Sequence, residues 1–340
     1  MTASTALVVG GGGFLGRAVV RALVAAGTDV VVPRVRWSVT ADAAADLVDA
    51  IRSMRAGGRP WSLVWCAGTG IVATGADAFA AEAELLERVL DPVATAPAAA
   101  GAPGAVFFAS SAGAAYAGSV GVPFDETSEP RPLAPYGSSR LLAEQRFRDW
   151  AEAVGARALI GRIANLYGPG ANLGKPQGLV SQLALAHVEG RPSSLYVPLD
   201  TTRDYLFIDD AAAMVVDALD RVRAEPGAPV TKIFASQQGR TIREVLDAVG
   251  AAVGVDLDVR TGEDPSASAQ GRDLRFRSIV LPEVDDRLLT PFDAGVRRTV
   301  DDVRRTVDVQ RTVDDVRHAA RADGHPPAGP VPPHRGDLSR

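Results

Sequence analysis

The sequence is poor in the residues that build disulfides and metal centres. It contains one cysteine, Cys66, and four histidines, of which only His187 precedes residue 318. A single cysteine cannot form an intramolecular disulfide or a multi-cysteine zinc site, and the histidines offer no metal-ligand set. These shortages exclude a disulfide scaffold, predict no metal site and fit a reducing compartment.

The chain has neither an excess of positive charge nor a long apolar run. Its 36 Lys and Arg residues stand against 41 Asp and Glu residues, a net charge of −5, so no overall positive field attracts nucleic acid or an anionic membrane. No run reaches the ~20 apolar residues that span a bilayer, and no basic segment precedes the first apolar residues. We therefore expect a cytoplasmic protein that binds neither nucleic acid nor membrane.

Short apolar runs alternate with stretches of helical periodicity along most of the chain. This alternation predicts an α/β fold, a Rossmann-type doubly wound parallel sheet covered by helices on both faces. The runs that predict its strands are at residues 5–9, 30–32, 63–66, 105–109, 158–163 and 233–235.

Four consecutive glycines separate the first predicted strand from the first predicted helix. They satisfy two patterns, Gly11-x-Gly13-x-x-Gly16 and Gly10-x-x-Gly13-x-x-Gly16. Glycines permit the tight turn and let backbone N–H groups approach a pyrophosphate at the helix N-terminus, where the helix dipole favours negative charge. The strand before and the helix after are the context that the pattern requires. The loop therefore predicts a dinucleotide site, with a plain glycine turn as the alternative, and the predicted cofactor-binding residues are Gly10, Gly13, Phe14, Leu15 and Gly16.

The end of the second predicted strand favours NADP over NAD. A carboxylate there would hold the adenosine ribose, whereas a basic residue would admit a 2′-phosphate. This chain has Arg34 and Arg36 and no carboxylate at that place. The alternative is that both arginines are solvated surface charge. Because few residues separate Arg36 from the predicted helix at 41–54, we expect a compressed second helix and third strand.

The remaining organisation predicts a second, smaller unit. A Gly-, Pro- and Ser-rich segment surrounds a predicted helix at 179–189, and another amphipathic helix is predicted at 241–253. We predict a dinucleotide-binding domain at 1–167, rejoined at about 204–235, and a smaller C-terminal α/β substrate-binding lobe at 168–203 and 236–317. The segment 298–304 recurs at 311–317 and predicts a terminal helix, whereas the Pro-rich segment 318–340 predicts a disordered tail.

Five further motifs occur in a characteristic order. The segment 107–116 ends in Ser-Ser-Ala-Gly-Ala-Ala-Tyr, and Tyr136-Gly-Ser-Ser-Arg140 opens a predicted helix. The other three motifs lie at 162–169, 203–210 and 290–296. Together they resemble the extended short-chain dehydrogenase/reductases, the NAD-dependent epimerase/dehydratase family of sugar-nucleotide enzymes. The resemblance covers about residues 5–317.

The resemblance implies a catalytic group of Ser111, Tyr136 and Arg140. Tyr136 would be the general acid/base, Ser111 would orient the reacting oxygen, and Arg140, one helical turn after Tyr136, would hold the nicotinamide ribose and stabilise the phenolate. The family has Lys where this chain has Arg140, and the planar guanidinium is larger than an ammonium group. Ser110 is the alternative serine, and a tyrosine and an arginine fixed at a helix start by packing are the alternative to a catalytic pair.

Other positions matched by the resemblance concern the substrate. Asn165 would contact a nucleotide-activated sugar and Arg203 its diphosphate. The alternatives are a turn asparagine and an arginine paired with Asp204 or Asp209. The dehydratases of the family carry an acidic pair where this chain has Ala112 and Gly113, so epimerisation or reduction of a keto-sugar is preferred. Similar proteins are often homodimers.

Two other functions remain open at this point. A nucleotide-binding or scaffold protein of the same fold would have lost turnover through the arginine at position 140. An enzyme acting on a small ketone or lactone would need no nucleotide and therefore no phosphate contact at Arg203.

Overall fold

A computed structural model describes residues 4–68, 76–94, 102–175, 178–225, 227–262 and 271–322. The elements of the first half of the chain are β1 Thr5–Val9, α1 Phe14–Ala25, β2 Asp29–Val31, α2 Thr40–Ala56, β3 Trp61–Trp65, α3 Ala76–Ala94, β4 Gly104–Ser111, α4 Ala112–Ala115, α5 Pro135–Ala153 and β5 Arg157–Ile163. Those of the second half are β6 Asn165–Tyr167, α6 Leu179–Val188, β7 Ser193–Leu195, β8 Thr202–Phe207, α7 Ile208–Ala224, β9 Val230–Phe234, β10 Gly239–Thr241, α8 Ile242–Val253, β11 Val259–Thr261, β12 Asp273–Leu274, α9 Pro282–Asp285 and α10 Phe292–Ala322.

A six-stranded parallel sheet in the order β2-β1-β3-β4-β5-β9 forms the centre of the molecule. Strands β1 and β3 are buried along their whole length, which explains why they read as unbroken apolar runs. Side chains of α1 and α7 pack on one face of the sheet and those of α2, α3 and α5 on the other. The predicted Rossmann-type fold is confirmed.

The sheet ends at β2, and this differs from the expected arrangement. A Rossmann sheet in the order 3-2-1-4-5-6 has one more strand outside the second, but the described residues contain none. The expected compression of the second helix and third strand is confirmed for the strand, which is absent from the described residues, but not for the helix, since α2 has 17 residues and leads directly from β2 to β3 beside β1. As the edge strand, β2 leaves Val31 45% exposed.

Strand β8 organises a second, smaller sheet with β6, β10 and β12. Strands β7 and β11 form a separate parallel pair. Helix α7 and strand β9 bring the chain back to the main sheet. Because β8 ends at Phe207, this return begins a few residues after the predicted position of about 204. Helix α10 continues to Ala322, so residues 318–322 are helical and not part of the predicted tail. Residues 323–340 lie outside the described residues, and the domain boundaries stay a prediction.

A buried lysine of the main sheet binds the segment that leads from the smaller sheet to α10. Lys232 on β9 is fully buried, and its Nζ donates to Ser278 Oγ at 2.9 Å and to Asp285 Oδ2 at 2.7 Å. Glu126 accepts from the same Ser278 hydroxyl at 2.6 Å. A buried charge that lost these partners would be strongly destabilising, so this cluster fixes the segment before α10 against β9.

Within the described residues, no helix combines the length and the apolar character needed to cross a bilayer. The same residues contain no group of three or more side chains placed to hold a metal ion.

Candidate active site

The glycine loop joins β1 to α1 in a turn that tolerates no larger side chain at two positions. Gly10 has a φ of 81°, a left-handed conformation that L side chains rarely adopt. A Cβ on Gly16 would lie 2.1 Å from the Gly10 carbonyl oxygen, so the helix approaches the loop more closely than an alanine would allow. Gly13 donates its N–H to that same oxygen at 2.9 Å. These contacts hold the loop in a closed turn against the start of α1.

The first turn of α1 is open to an anion. The N–H groups of Phe14, Leu15 and Gly16 have no intrahelical acceptor because they precede the first full helical turn. Gly13 is the N-cap and provides no side-chain cap, and the first turn carries no acidic residue. Arg17 Nη1 donates to the Gly12 carbonyl at 3.0 Å and fixes the loop from the outside. The predicted pyrophosphate-binding residues are thus brought together at one helix end.

Arg34 and Arg36, predicted to read a 2′-phosphate, have different environments. Arg36 lies within 3.3 Å of Asp42 and 2.8 Å of Asp46. The hydrogen bonds that Arg36 donates to the Asp46 carboxylate raise the pKa of Arg36 and lower the pKa of Asp46. Arg34 is exposed and makes no hydrogen bond or ion pair with the described residues. The two arginines are therefore not equivalent.

Tyr136 and Ser111 meet where β4 ends and α5 begins. Pro135 occupies the first turn of α5, where its missing N–H costs nothing, and Tyr136 follows it. Ser111 caps the short helix α4, accepting from the Ala114 N–H at 3.3 Å. The Ser111 hydroxyl lies close enough to the Tyr136 phenol to lower its pKa. The structure brings these two predicted residues together.

Ser110, the alternative serine, faces away into a buried polar cluster. Its hydroxyl donates to Glu144 Oε1 at 2.7 Å, and Arg162 donates to both oxygens of the same carboxylate at 3.0 and 2.8 Å. Arg162 also donates to the Tyr116 hydroxyl at 2.6 Å. These partners satisfy Ser110 inside the protein, so it does not share the position of Ser111 beside Tyr136.

Arg140 lies beside Tyr136 but is ion-paired to a residue of α3. Its guanidinium carbon is 5.5 Å from the centroid of the Tyr136 ring and 5.5 Å from that of Phe108. Its Nη2 lies 2.5 Å from Oε1 of Glu82, and the two side chains are 5% and 14% exposed. Arg140 Nε and both Glu82 oxygens are buried without a well-oriented hydrogen bond among the described residues. The pair therefore retains hydrogen-bonding capacity for a ligand.

The electrostatic balance at Tyr136 keeps its phenol protonated. Burial is the largest effect and raises the pKa of Tyr136 above its ordinary value. The Arg140 cation and the Ser111 hydroxyl lower that pKa, while the Glu82 carboxylate raises it. The expected action of Arg140 is present, but burial and Glu82 outweigh it.

The sequence did not single out Glu82 or Phe79, whose ring centroid lies 6.0 Å from that of Tyr136. Both lie on the buried side of α3, which also presents Leu86, Val89 and Val93 to the core. Positions 79, 82, 86, 89 and 93 follow the spacing of one helix face. The presence of a glutamate at one of these otherwise apolar positions is the sequence feature that could have singled out Glu82.

Asn165 and Arg203 lie on neighbouring strands of the smaller sheet. Asn165, exposed on β6, pairs in register with Tyr205 of β8, two residues after Arg203. The Asn165 Oδ1 lies 4.0 Å from where a Cβ on Gly113 would be, which places it next to the turn after Ser111. Asn165 is thus adjacent to the catalytic group.

Arg203 is a buried cation without a carboxylate partner among the described residues. Its Nη1 donates to the carbonyl oxygens of Thr202 at 2.9 Å and Arg272 at 3.4 Å, and burial lowers its pKa. The alternative pairings are not formed, since Asp204 accepts from Ser236, and Asp209 pairs with Arg21 and Arg298. Arg203 therefore forms no ion pair with a described carboxylate, although Asp273 lies near enough to raise its pKa and oppose part of the effect of burial.

A cavity of about 550 Å³ opens beside β8. Tyr205 and Tyr167 form one wall, and Arg240 and Phe292 lie on others. The Arg240 guanidinium carbon is 5.6 Å from the centroid of the Phe292 ring. The volume of this cavity is that of a small-ligand site. Tyr205, which lines the cavity, lies two residues after Arg203 on β8.

The glycine loop and the Ser111–Tyr136–Arg140 cluster on a parallel sheet define a dinucleotide-binding protein of the extended short-chain dehydrogenase/reductase type. The model of the NAD dependent epimerase/dehydratase family matches residues 6–232. The chain belongs to this family.

Two relatives illustrate the activities found among similar proteins. The chain is 32% identical over 197 residues to UDP-glucose 4-epimerase of Rhizobium meliloti, a match that covers 50% of this chain and 59% of that protein. It is 27% identical over 188 residues to dTDP-glucose 4,6-dehydratase of Salmonella typhimurium, covering 52% of this chain and 49% of that protein. The chain spans about half the length of the curated relatives it matches.

Solved structures share the fold over most of the chain. UDP-glucose 4-epimerase of Thermus thermophilus in complex with NAD superimposes with a TM-score of 0.72 at 24% identity, covering 88% of this chain and 99% of that one. RMD of Pseudomonas aeruginosa in complex with NADPH gives a TM-score of 0.67 at 22% identity, covering 88% and 99%. Both nicotinamide cofactors therefore occur among structural neighbours.

The residues of this chain fit such a cofactor. The close approach of α1 to the loop at Gly16 and the uncapped first turn of α1 suit a pyrophosphate. The buried Arg140 Nε, which lacks a partner among the described residues, suits a ribose hydroxyl at the other end.

Proposed function

We propose that this protein is an NAD(P)-dependent epimerase or ketoreductase acting on a nucleotide-activated sugar. The observation that carries the proposal is the Arg140 cation 5.5 Å from the Tyr136 ring, with Ser111 beside them at the end of β4, in a fold with an open dinucleotide loop. A phenol that exchanges a proton with a sugar oxygen needs such a hydrogen-bonding partner and such a cation.

The mechanism assigns each side chain a separate task. The nicotinamide, when bound, supplies or accepts a hydride. Tyr136 gives a proton to the sugar carbonyl oxygen, or takes one from the hydroxyl in the reverse direction. Ser111 hydrogen-bonds the same oxygen and orients it. Because the pKa of Tyr136 is raised, the resting site holds the form of Tyr136 that donates a proton to a keto-sugar.

Residues 112 and 113 support epimerisation or reduction over dehydration. Elimination of water requires an acid and a base beside the sugar carbons, and dehydratases of the family carry an acidic pair there. Here Ala112 is fully buried in α4 and Gly113 has no side chain. Neither position can donate or accept a proton through a side chain.

The cofactor we infer is NADP, with Arg34 as the residue that contacts the 2′-phosphate. Arg36 is already engaged by Asp42 and Asp46, whereas Arg34 is exposed at the end of β2. A guanidinium is suited to bidentate contact with phosphate.

The substrate handle we infer is a nucleoside diphosphate. Arg203 supplies a cation that forms no ion pair with a described carboxylate, and Asn165, on the strand that pairs with β8, lies beside the turn after Ser111. The sugar would lie at Tyr136, with Asn165 beside it and the diphosphate at Arg203. A homodimer is expected from the family resemblance, and the division into a dinucleotide-binding domain and a substrate lobe is part of the same proposal.

Turnover of a panel of UDP- and dTDP-hexoses and their 4-keto derivatives tests the proposal. The purified protein is incubated with each sugar and NADP(H) or NAD(H), and the products are resolved by NMR. The wild-type protein should convert at least one of them, and Tyr136→Phe should not. Tyr196→Phe, at a tyrosine that is 46% exposed, is the matched control and should retain activity.

The alternative function is a nucleotide-binding protein without turnover. The Arg140–Glu82 ion pair favours this alternative, because a cation neutralised by a carboxylate stabilises a phenolate less than an unpaired cation does. Cofactor binding without conversion of any nucleotide sugar or small ketone would support this alternative.

A further inference from the structure

Glu82 places a carboxylate on the buried face of α3. Its side chain is 14% exposed, and it lies on the same helix face as the buried Phe79 and Leu86. An ionised carboxylate is costly in such surroundings unless a cation lies beside it. The Arg140 guanidinium, 2.5 Å away, is that cation. The two charged side chains therefore stabilise each other, although 58 positions separate them in the sequence.

The ion pair also orients Arg140 towards Tyr136. A guanidinium is a rigid planar fork, so a partner at Nη2 restricts the position of the whole group. The guanidinium carbon then lies 5.5 Å from the ring centroids of Tyr136 and Phe108. A cation near a phenol favours the phenolate, and a carboxylate near it favours the phenol. Glu82 and Arg140 act on Tyr136 in opposite directions.

We propose that Glu82 is a positioning residue of the active site, which holds the Arg140 guanidinium beside the Tyr136 ring and offsets the effect of that cation on the phenol. The proposal rests on the proposed function, because it concerns the acid/base residue named there. It also explains the arginine at position 140, since a carboxylate-bound arginine takes the place of a free lysine. Among the described residues, the polar groups that act on the phenol are Arg140 from α5, Glu82 from α3 and Ser111 from the end of β4.

Two substitutions separate this role from a purely structural one. Glu82→Gln keeps the size of the side chain and removes its charge, so Arg140 acts unopposed and Tyr136 should lose its proton at a lower pH. Arg140→Gln leaves Glu82 unopposed, so Tyr136 should lose its proton at a higher pH. Loosened packing alone would move both variants in the same direction, towards the ordinary behaviour of an exposed tyrosine.

The measurement is an alkaline titration of the full chain without cofactor, followed by phenolate absorbance. The Tyr136 contribution is obtained by subtracting the same variant carrying Tyr136→Phe, and circular dichroism defines the pH range in which each protein is folded. Glu84→Gln is the matched control, because Glu84 lies on the same helix but is exposed and pairs with Arg88. The expected result is opposite shifts for Glu82→Gln and Arg140→Gln, with Glu84→Gln unchanged. An unchanged midpoint in Glu82→Gln, or shifts of the same sign, would overturn the proposal.

A second comparison applies if either single variant fails to fold. Arg140→Lys is compared with Glu82→Gln/Arg140→Lys, since the smaller cation tolerates the loss of its partner more easily. The double variant should titrate at the lower pH, and equal midpoints would refute the role of Glu82. No turnover is measured in these titrations, so their outcome is independent of whether a nucleotide sugar is the substrate.

Discussion

Arg36 donates two parallel hydrogen bonds to Asp46, from Nε to Oδ2 at 3.0 Å and from Nη2 to Oδ1 at 2.8 Å. The backbone N–H of Arg36 donates to the same carboxylate at 3.0 Å. This fork joins the loop after β2 to the first turns of α2 and leaves Arg34 as the arginine of this pair without an ion-pair partner among the described residues.

Arg34→Ala should weaken NADPH binding selectively. Loss of a charge-assisted contact with a 2′-phosphate should raise the Kd for NADPH about ten-fold and leave the Kd for NADH nearly unchanged. Fluorescence titrations at fixed salt concentration measure both constants, because phosphate contacts are sensitive to salt. Arg36→Ala is the matched variant and should not distinguish the two cofactors. An equal loss for both cofactors in Arg34→Ala would contradict the assignment.

Arg140→Lys should lower kcat. A lysine cannot reproduce the planar contact with Glu82 and the two rings, so the proton transfer at Tyr136 should slow by about ten-fold or more. Steady-state kinetics on the sugar converted by the wild-type protein measure the change. Equal or higher activity in Arg140→Lys would instead indicate a site that has decayed from a lysine-containing ancestor.

Arg203→Ala should weaken the binding of nucleoside diphosphates. Removing a cation from a phosphate contact costs about 1.5–3 kcal/mol, which raises the Kd for UDP or dTDP about ten-fold or more. The Kd for the corresponding nucleoside, which lacks phosphate, should change little. Arg243→Ala, at an exposed arginine of α8, is the control. Unchanged diphosphate binding in Arg203→Ala would favour a substrate without a nucleotide.

Asp204 should make the free energy of unfolding depend on pH. It is 1% exposed, and burial raises its pKa to about 6. The folded protein therefore holds a proton at Asp204 between pH ~4 and ~6 when the unfolded chain does not, so this group's contribution to stability falls by about 3 kcal/mol as the pH rises through that window. Denaturant unfolding of Asp204→Asn should lack this component.

Asp200→Asn provides the control for that comparison, because the Asp200 side chain is 62% exposed. Its unfolding should keep the pH dependence of the wild-type protein. Identical pH profiles for Asp204→Asn and the wild type would show that Asp204 ionises normally.

Local sequence signals were sufficient for much of the fold. The break from β1 into glycines and the periodicity of α1 are properties of consecutive residues, and the structure places both where the pattern predicts. Helix α8 begins at a capping box between Thr241 and Glu244, a signal contained in four residues. The short spacing after Arg36 indicated a compressed segment, but the end of the sheet at β2 was not itself predictable, because it depends on which strand pairs with β1 after α2.

In the candidate site, too, some residues could be predicted from local sequence and others depended on tertiary contacts. Ser111, Tyr136 and Arg140 lie in segments whose order resembles a family, so their proximity could be anticipated. Glu82 could not be, because its meaning depends on a contact with Arg140 that only the packing of α3 against α5 creates. The pairing of Arg36 with Asp46 likewise required the start of α2 to be known before its charge could be assigned.

Mixing nucleotide sugars with the oxidised-cofactor complex tests the central claim most directly. Rapid-mixing absorbance of the reduced nicotinamide reports hydride transfer from the sugar in a single turnover, without a need for product release. The account predicts that the signal rises in the wild-type protein with at least one nucleotide sugar and stays flat in Tyr136→Phe with the same cofactor bound. A cofactor-loaded wild-type protein that gives no signal with any nucleotide sugar, or a Tyr136→Phe variant that gives the wild-type signal, would contradict it.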